Sequence, residues 1–115
     1  MRQEGRIDYV EVPVTDLQTA SEFLHELFGW EFQEWGPDYS SFNDGRLDGG
    51  LRRADNPAPA SGVLLVFYSE DLERDVARVK ELGATISQDI FDFRGGRRFH
   101  FVDPAGTEYA IWSDR

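Results

Sequence analysis

The chain contains no cysteine in 115 residues. Disulfides, thiolate metal sites and cysteine nucleophiles are excluded at once, and no thiol reports on redox compartment. Positive charge is scarce: 12 Lys and Arg stand against 22 Asp and Glu, for a formal net charge of −10. A surface of that sign repels phosphate backbones and anionic bilayers, so neither nucleic acid nor membrane is expected as a partner. Long apolar runs are missing too. No stretch approaches the roughly 20 residues of a membrane span, and no secretory leader opens the sequence, so a soluble cytoplasmic protein is expected.

What the chain does have is aromatics, with nine Phe, four Tyr and three Trp. They are ample for the core of one compact domain over residues 1–115. Residues 7–14, IDYVEVPV, alternate and are β-branched, which predicts a strand. Residues 15–29, TDLQTASEFLHELFG, predict a helix. Thr15 and Gln18 match a capping box, Leu17, Ala20, Leu24, Leu27 and Phe28 recur at helical spacing, and Gly29 suits a left-handed stop. WEFQEW, YSSFN and LDGGLRR predict three further strands, joined by a Gly36-Pro37-Asp38 turn and an Asn43-Asp44-Gly45 hairpin. Residues 54–62, ADNPAPASG, read as a linker.

After the linker the pattern begins again: strand (VLLVFY), helix (EDLERDVARVKELG), then ATISQDI, RRFHFV and TEYAIW. Asp16-Leu17 is echoed by Asp71-Leu72 and Gly29 by Gly83, an internal repeat of about 55 residues. The expected fold class is α+β: two tandem βαβββ modules, about 7–53 and 63–112, forming a curved mixed sheet. One module is too small to cover both faces of its own sheet, so the two pair. Helices cover one face and the other curls into a cup.

The module repeat, the segment VPVTDLQTASEFLHELFGWEF and the ending FVDPAGTEYAIW resemble the glyoxalase/bleomycin resistance/extradiol dioxygenase superfamily, also called vicinal oxygen chelate. The resemblance spans nearly the whole chain. For its enzymes it implies a divalent metal inside the cup, with ligands from the first strand of each module and from the last strand. The first-strand position, usually His, is Tyr9 here. Its counterpart in the second module falls near Leu64, the last-strand position, usually Glu, is Ala110, and the remaining position lies near residues 49–51. Leu64 and Ala110 have no donor and a neutral Tyr9 is a poor one, so no metal and no other cofactor is expected.

Strand parity then selects the residues that line the cup. With Val10, Val12 and Val14 against the helices, Tyr9 and Glu11 face the cup. By the same alternation Leu64, Val66 and Tyr68 face it, as do Arg98 and His100, and Glu108, Ala110 and Trp112. Trp35, Tyr39 and Phe42 are placed at its mouth. His100, with Tyr9 and Glu11, forms the candidate catalytic set, because imidazole titrates near neutrality and either donates or accepts protons. With the bulge common at such a glycine turn, His100 pairs across the last hairpin with Ala110. Glu11 requires a partner, for which Arg98 and His100 are the candidates. Val66, Tyr68, Arg98, Glu108, Ala110, Trp112 and Leu64 are the candidate ligand-binding residues. Arg94, Arg97 and Arg98 form a basic cluster that either binds an acidic ligand group or balances nearby acids. Gly95-Gly96 is a loop and not a phosphate cradle, since no helix follows it. His25 is expected to face solvent.

The resulting expectation is a protein of this resemblance that binds a small organic molecule without metal, as a binding protein or a metal-independent enzyme, and that forms a homodimer. One alternative is a metal-dependent lyase or dioxygenase with displaced ligands, for example Glu11, His100 and Glu108. Another is a dimeric interaction module whose cup is filled by protein.

Overall fold

The computed structural model describes residue 4 and residues 7–56 and 63–115. Most of the expected linker, residues 57–62, lies outside the described residues. The elements run β1 (Tyr9–Val14), α1 (Leu17–Phe28), β2 (Phe32–Glu34), β3 (Tyr39–Asn43), β4 (Asp48–Arg53), β5 (Leu65–Tyr68), α2 (Leu72–Glu81), β6 (Thr85–Phe93), β7 (Gly96–Val102) and β8 (Glu108–Ser113). Each half is a βαβββ module. The strands form two four-stranded mixed sheets, ordered β1-β4-β3-β2 and β5-β8-β7-β6, each with one parallel pair between its first and last strand. The curved mixed sheet is therefore built as two sheets, one per module, and no ladder joins them among the described residues.

Both helices start on an aspartate. Asp16 accepts from the Thr19 N–H and Asp71 from the Arg74 N–H, each at 3.0 Å. The Thr19 hydrogen bond also holds the Asp16 carboxyl below its ordinary range. This corrects the expected capping box on Thr15. A carboxylate is the stronger acceptor for an orphan N–H. The Thr15 hydroxyl instead donates to the Ala105 carbonyl of the β7–β8 hairpin at 2.8 Å, tying one module to the other. Gln18 donates to Glu22, one turn on. Gly29 and Gly83 take positive φ after the two helices, at 79° and 92°, as the helix stops require. In α2, Glu73 and Asp75 sit in the first turn and Arg78 and Lys80 in the last, complementing the helix dipole.

A single apolar layer joins the modules. Val12, Val14, Phe23, Leu24 and Leu51 from the first half share it with Leu72, Val79, Phe99, Phe101, Tyr109 and Ile111 from the second. Ring contacts cross the junction: Phe23 meets Phe101 at 5.9 Å between centroids, Phe28 meets Phe67 at 4.7 Å, and Trp30 meets Phe67 at 5.7 Å. Phe42 belongs to this layer, 7% exposed and stacked on Trp30 at 4.7 Å. Its expected place at the cup mouth is thereby corrected. Tyr39 and Phe42 are three positions apart on β3, so the pleat sends them to opposite faces.

Gly96 opens β7 where β8 runs very close. A Cβ there would lie 2.0 Å from the Ser113 carbonyl oxygen, which is backbone. Gly96→Ala is expected to lower stability by about 1–3 kcal/mol and to disturb the β7–β8 register, read by urea melts and by amide exchange of β8. An unchanged melt would show that the strand ends part freely.

Candidate functional site

The register of β5-β8-β7-β6 brings most of the expected ligand-binding residues onto one face. Val66 pairs with Ala110, Ala110 with His100, and His100 with Gln88. In the next row Tyr68 pairs with Trp112, Trp112 with Arg98, and Arg98 with Phe91. The His100–Ala110 pairing follows from the turn. Gly106 donates to the Asp103 carbonyl with φ 87°, and Asp103 N–H bonds to the Thr107 carbonyl, a three-residue loop with a glycine bulge. Leu64 immediately precedes β5 and is half-buried. Phe91 and Phe93, which sequence reasoning missed, complete the face because β6 continues to Phe93. The alternation in FDF before Gly95-Gly96 was the available signal.

His100 is buried, at 6% exposure. Its Nδ1 lies 3.3 Å from Glu108 Oε2, which also accepts from the Ser87 hydroxyl at 3.1 Å. A carboxylate only accepts, so Nδ1 carries the proton in this contact and Nε2 of the neutral ring is left as an acceptor. Nε2 is buried and has no hydrogen-bond partner among the described residues. Phe91 stacks on the ring at 5.9 Å. Beside it the Arg98 guanidinium lies over Phe91 and Phe93, at 5.4 and 5.7 Å. Tyr68 and Phe93 flank Trp112, at 5.2 and 6.3 Å between centroids. The Tyr68 hydroxyl donates to Asp114 at 2.7 Å. The three arginines of the basic cluster separate. Arg97 is held by Glu73 in a bidentate pair at 2.7 and 3.3 Å, Arg94 is exposed, and Arg98 alone turns to this face.

Tyr9 and Glu11 lie on the open face of the other sheet. There the Tyr39 hydroxyl donates to Glu11 Oε2 at 3.0 Å, and Arg52 Nε donates to Oε1 at 3.1 Å. Since Tyr39 spends its proton on the carboxylate, Tyr9 donates to Tyr39, at 2.5 Å. Burial, followed by the hydrogen bonds to Tyr9 and Glu11, raises the Tyr39 pKa. The partners expected for Glu11, Arg98 and His100, are replaced by Arg52 and Tyr39. β1 pairs with β4 inside its own module, so the nearest cation and hydroxyl come from β4 and β3. No hydrogen bond or ion pair among the described residues joins this cluster to His100. Trp35 is exposed and donates to Ser41 at 2.8 Å. His25 is exposed, with Nδ1 2.8 Å from the Trp30 carbonyl oxygen.

Gly50 makes room for the tyrosine pair. A Cβ there would lie 2.1 Å from the Tyr39 hydroxyl oxygen and 2.6 Å from that of Tyr9. Both are ends of long side chains, so Gly50→Ala is expected to fold with little loss of stability but to swing the rings aside and break the Tyr9–Tyr39–Glu11 chain. Changed ring-proton shifts of Tyr9 and Tyr39 in NMR spectra, with an unchanged melt, are the expected result.

The donor set does not fit the metal of the resemblance. Ala110 occupies the last-strand position, Leu64 offers no donor, and Tyr9 is engaged by Tyr39. Of the displaced set, His100 and Glu108 adjoin, while Glu11 is tied to Arg52 on the other sheet. Among the described residues no three His, Asp or Glu side chains converge as a metal site. Clefts of about 520 Å³ beside the start of α1 and about 440 Å³ beside Tyr9, Phe32 and Asp48 lie away from His100. No helix among the described residues is long and apolar enough to cross a membrane.

With two βαβββ modules and their two open faces established, comparison with known proteins gives the family. Residues 6–111 match the model of the Glyoxalase/Bleomycin resistance protein/Dioxygenase superfamily, and the chain belongs to it. A glyoxylase-like domain-containing protein from Didymella fabae is 25% identical over 95 residues, covering 75% of this chain and 74% of that one. Among solved structures, a glyoxalase/bleomycin resistance protein/dioxygenase family enzyme from Burkholderia phytofirmans PsJN superposes with a TM-score of 0.81 at 16% identity, over 96% of this chain and all of that one. A variant of a fosfomycin resistance protein from Listeria monocytogenes, complexed with Mn(II) and 1S,2S-dihydroxypropylphosphonic acid, gives 0.78 at 19% identity, over 96% of this chain and 90% of that one. At these identities the likeness is one of fold.

Proposed function

We propose that this protein is a metal-independent member of its superfamily that binds a small organic molecule on the open face of β5-β8-β7-β6, and that a second copy covers that face. The observation that carries the reading is His100: a buried imidazole on a mostly apolar and aromatic face, its Nε2 without a partner among the described residues. An unmatched buried acceptor costs about 1–3 kcal/mol, so a ligand atom that donates to it is favoured by that amount. The aromatic surroundings and the small Ala110 beside it suit an organic ligand. The covering copy is supported by exposure. Val66, Tyr68 and Phe93 on one face and Tyr9 on the other are 39–47% exposed, and Trp35, beside Ser41 of that second face, is 60% exposed. Exposed apolar and aromatic side chains gathered on an open sheet face mark a surface for interaction. A two-fold pair setting the Tyr9–Glu11 face of each copy over the His100 face of the other would close two equivalent sites and reunite the residues that one chain keeps apart.

Sedimentation equilibrium at micromolar concentration is expected to give a dimer. A fragment screen by NMR is expected to shift the signals of His100, Ala110 and Trp112. For the fragments found, His100→Ala is expected to weaken binding by about 1–3 kcal/mol, and Ala110→Leu to block it by bulk. A monomer whose fragments all bind elsewhere would sink the reading.

A further inference from the structure

Arg98 stands out in a chain of net charge −10. Arg52, Arg74, Arg78, Arg97 and Arg115 each meet a carboxylate, at 3.1, 3.2, 3.5, 2.7 and 3.7 Å. Arg98 is half-buried and meets none among the described residues. Its Nε is buried without a hydrogen-bond partner among the described residues, and its guanidinium rests on the rings of Phe91 and Phe93. Aromatic contact offsets only part of what a guanidinium loses on leaving water. Acids are plentiful here, so an arginine without one, two positions from an imidazole with a vacant acceptor, is placed for something outside the chain.

We propose that the ligand of this face is a flat organic monoacid, its carboxylate held by Arg98 and a neighbouring hydroxyl or N–H donated to His100 Nε2. The assignment rests on the binding face proposed above and names the chemistry of its occupant. A planar guanidinium takes a carboxylate through two parallel hydrogen bonds. One negative charge is favoured over two. Arg97 is occupied by Glu73, and Glu108 beside His100 contributes a negative charge of its own. Trp112, Tyr68 and Phe93 supply aromatic surface for the flat body of the ligand.

The test uses two flat probes that carry a ring N–H beside the acid group, indole-2-carboxylate and indole-2-carboxamide, with indoxyl phosphate as the dianionic arm. Affinities are measured by calorimetry and positions by NMR, for the full chain and for its Arg98→Gln and Arg98→Lys variants. The acid is expected to bind at least tenfold more tightly than the amide, with shifts at Arg98 Nε–H and the Trp112 indole. The phosphate is expected to bind no better than the acid. Arg98→Gln is expected to weaken the acid by at least tenfold and the amide by less, so that the preference is erased, and Arg98→Lys to restore part of it. Equal affinity for acid and amide, a preference that survives in Arg98→Gln, or tighter binding of the phosphate overturns the monoacid. If the amide still binds this face in those cases, the binding face stands without the acid. If no probe perturbs the face at all, both fall.

Discussion

Phe101→Ala is expected to lower the unfolding free energy by about 3–5 kcal/mol, the usual cost of deleting a fully buried phenyl ring. Phe101 is 0% exposed and touches the rings of Phe99 and Tyr109 in its own module and of Phe23 in the other. Its removal leaves a cavity where the two halves join, and the surrounding strands relax into it only partly. Domains are stable by only about 5–15 kcal/mol, so this single change removes a large share of the total. The midpoint of urea denaturation is the readout, with an unchanged slope if unfolding stays two-state. Val63→Ala, 79% exposed and ahead of β5, is the control and is expected to change stability by less than about 1 kcal/mol. Equal losses from the two would mean that the modules do not depend on the shared layer.

The second large effect is on pH dependence and comes from Asp103. Its side chain is buried in the β7–β8 turn, where Oδ1 accepts from the Ala105 and Thr107 N–H groups and Oδ2 has no partner among the described residues. Burial outweighs those hydrogen bonds and pushes its pKa up from 3.8 to about 6. The folded state therefore holds this proton more tightly than the unfolded chain. The resulting stabilisation is complete below pH 3.8 and is lost as pH rises through about 6. At about 1.4 kcal/mol per pH unit of separation, the loss is on the order of 3 kcal/mol. Exposed carboxylates with lowered pKa, Asp16, Glu73 and Asp114, act in the opposite sense, so the total curve mixes both. The difference between the wild type and Asp103→Asn isolates the buried group, because the amide keeps an oxygen for the two N–H groups and has no charge to bury. The variant is expected to gain on the wild type between pH 4 and about 6.5 and to hold that gain above. Parallel stability curves across that range would show that the Asp103 carboxyl is hydrated in solution.

The βαβββ repeat, both helices and the faces of nearly every strand were legible in the sequence, because each depends on neighbours close in the chain. Val12 and Tyr9 separate by the two-residue period of a strand. Gly29 and Gly83 end helices through their own backbone freedom, and Pro104 and Gly106 shape a turn that pairs His100 with Ala110. Local rules failed where two local choices had similar strength. Thr15 and Asp16 are both competent caps, and the Ala105 carbonyl, about 90 residues away, decided between them by taking the Thr15 hydroxyl. Partnership across the fold was not legible at all. Glu11 pairs with Arg52 and Tyr39 because β1 lies beside β4, and β6 runs on to bring Phe91 and Phe93 beside Arg98 because β7 gives it a partner strand. The same holds for the separation of Tyr9 from His100. Alternation places each on the open face of its own sheet. How the two sheets stand to each other is set by the shared layer of Phe23, Phe28, Phe67 and Phe101, whose contacts join residues far apart in sequence and leave no periodic trace in it.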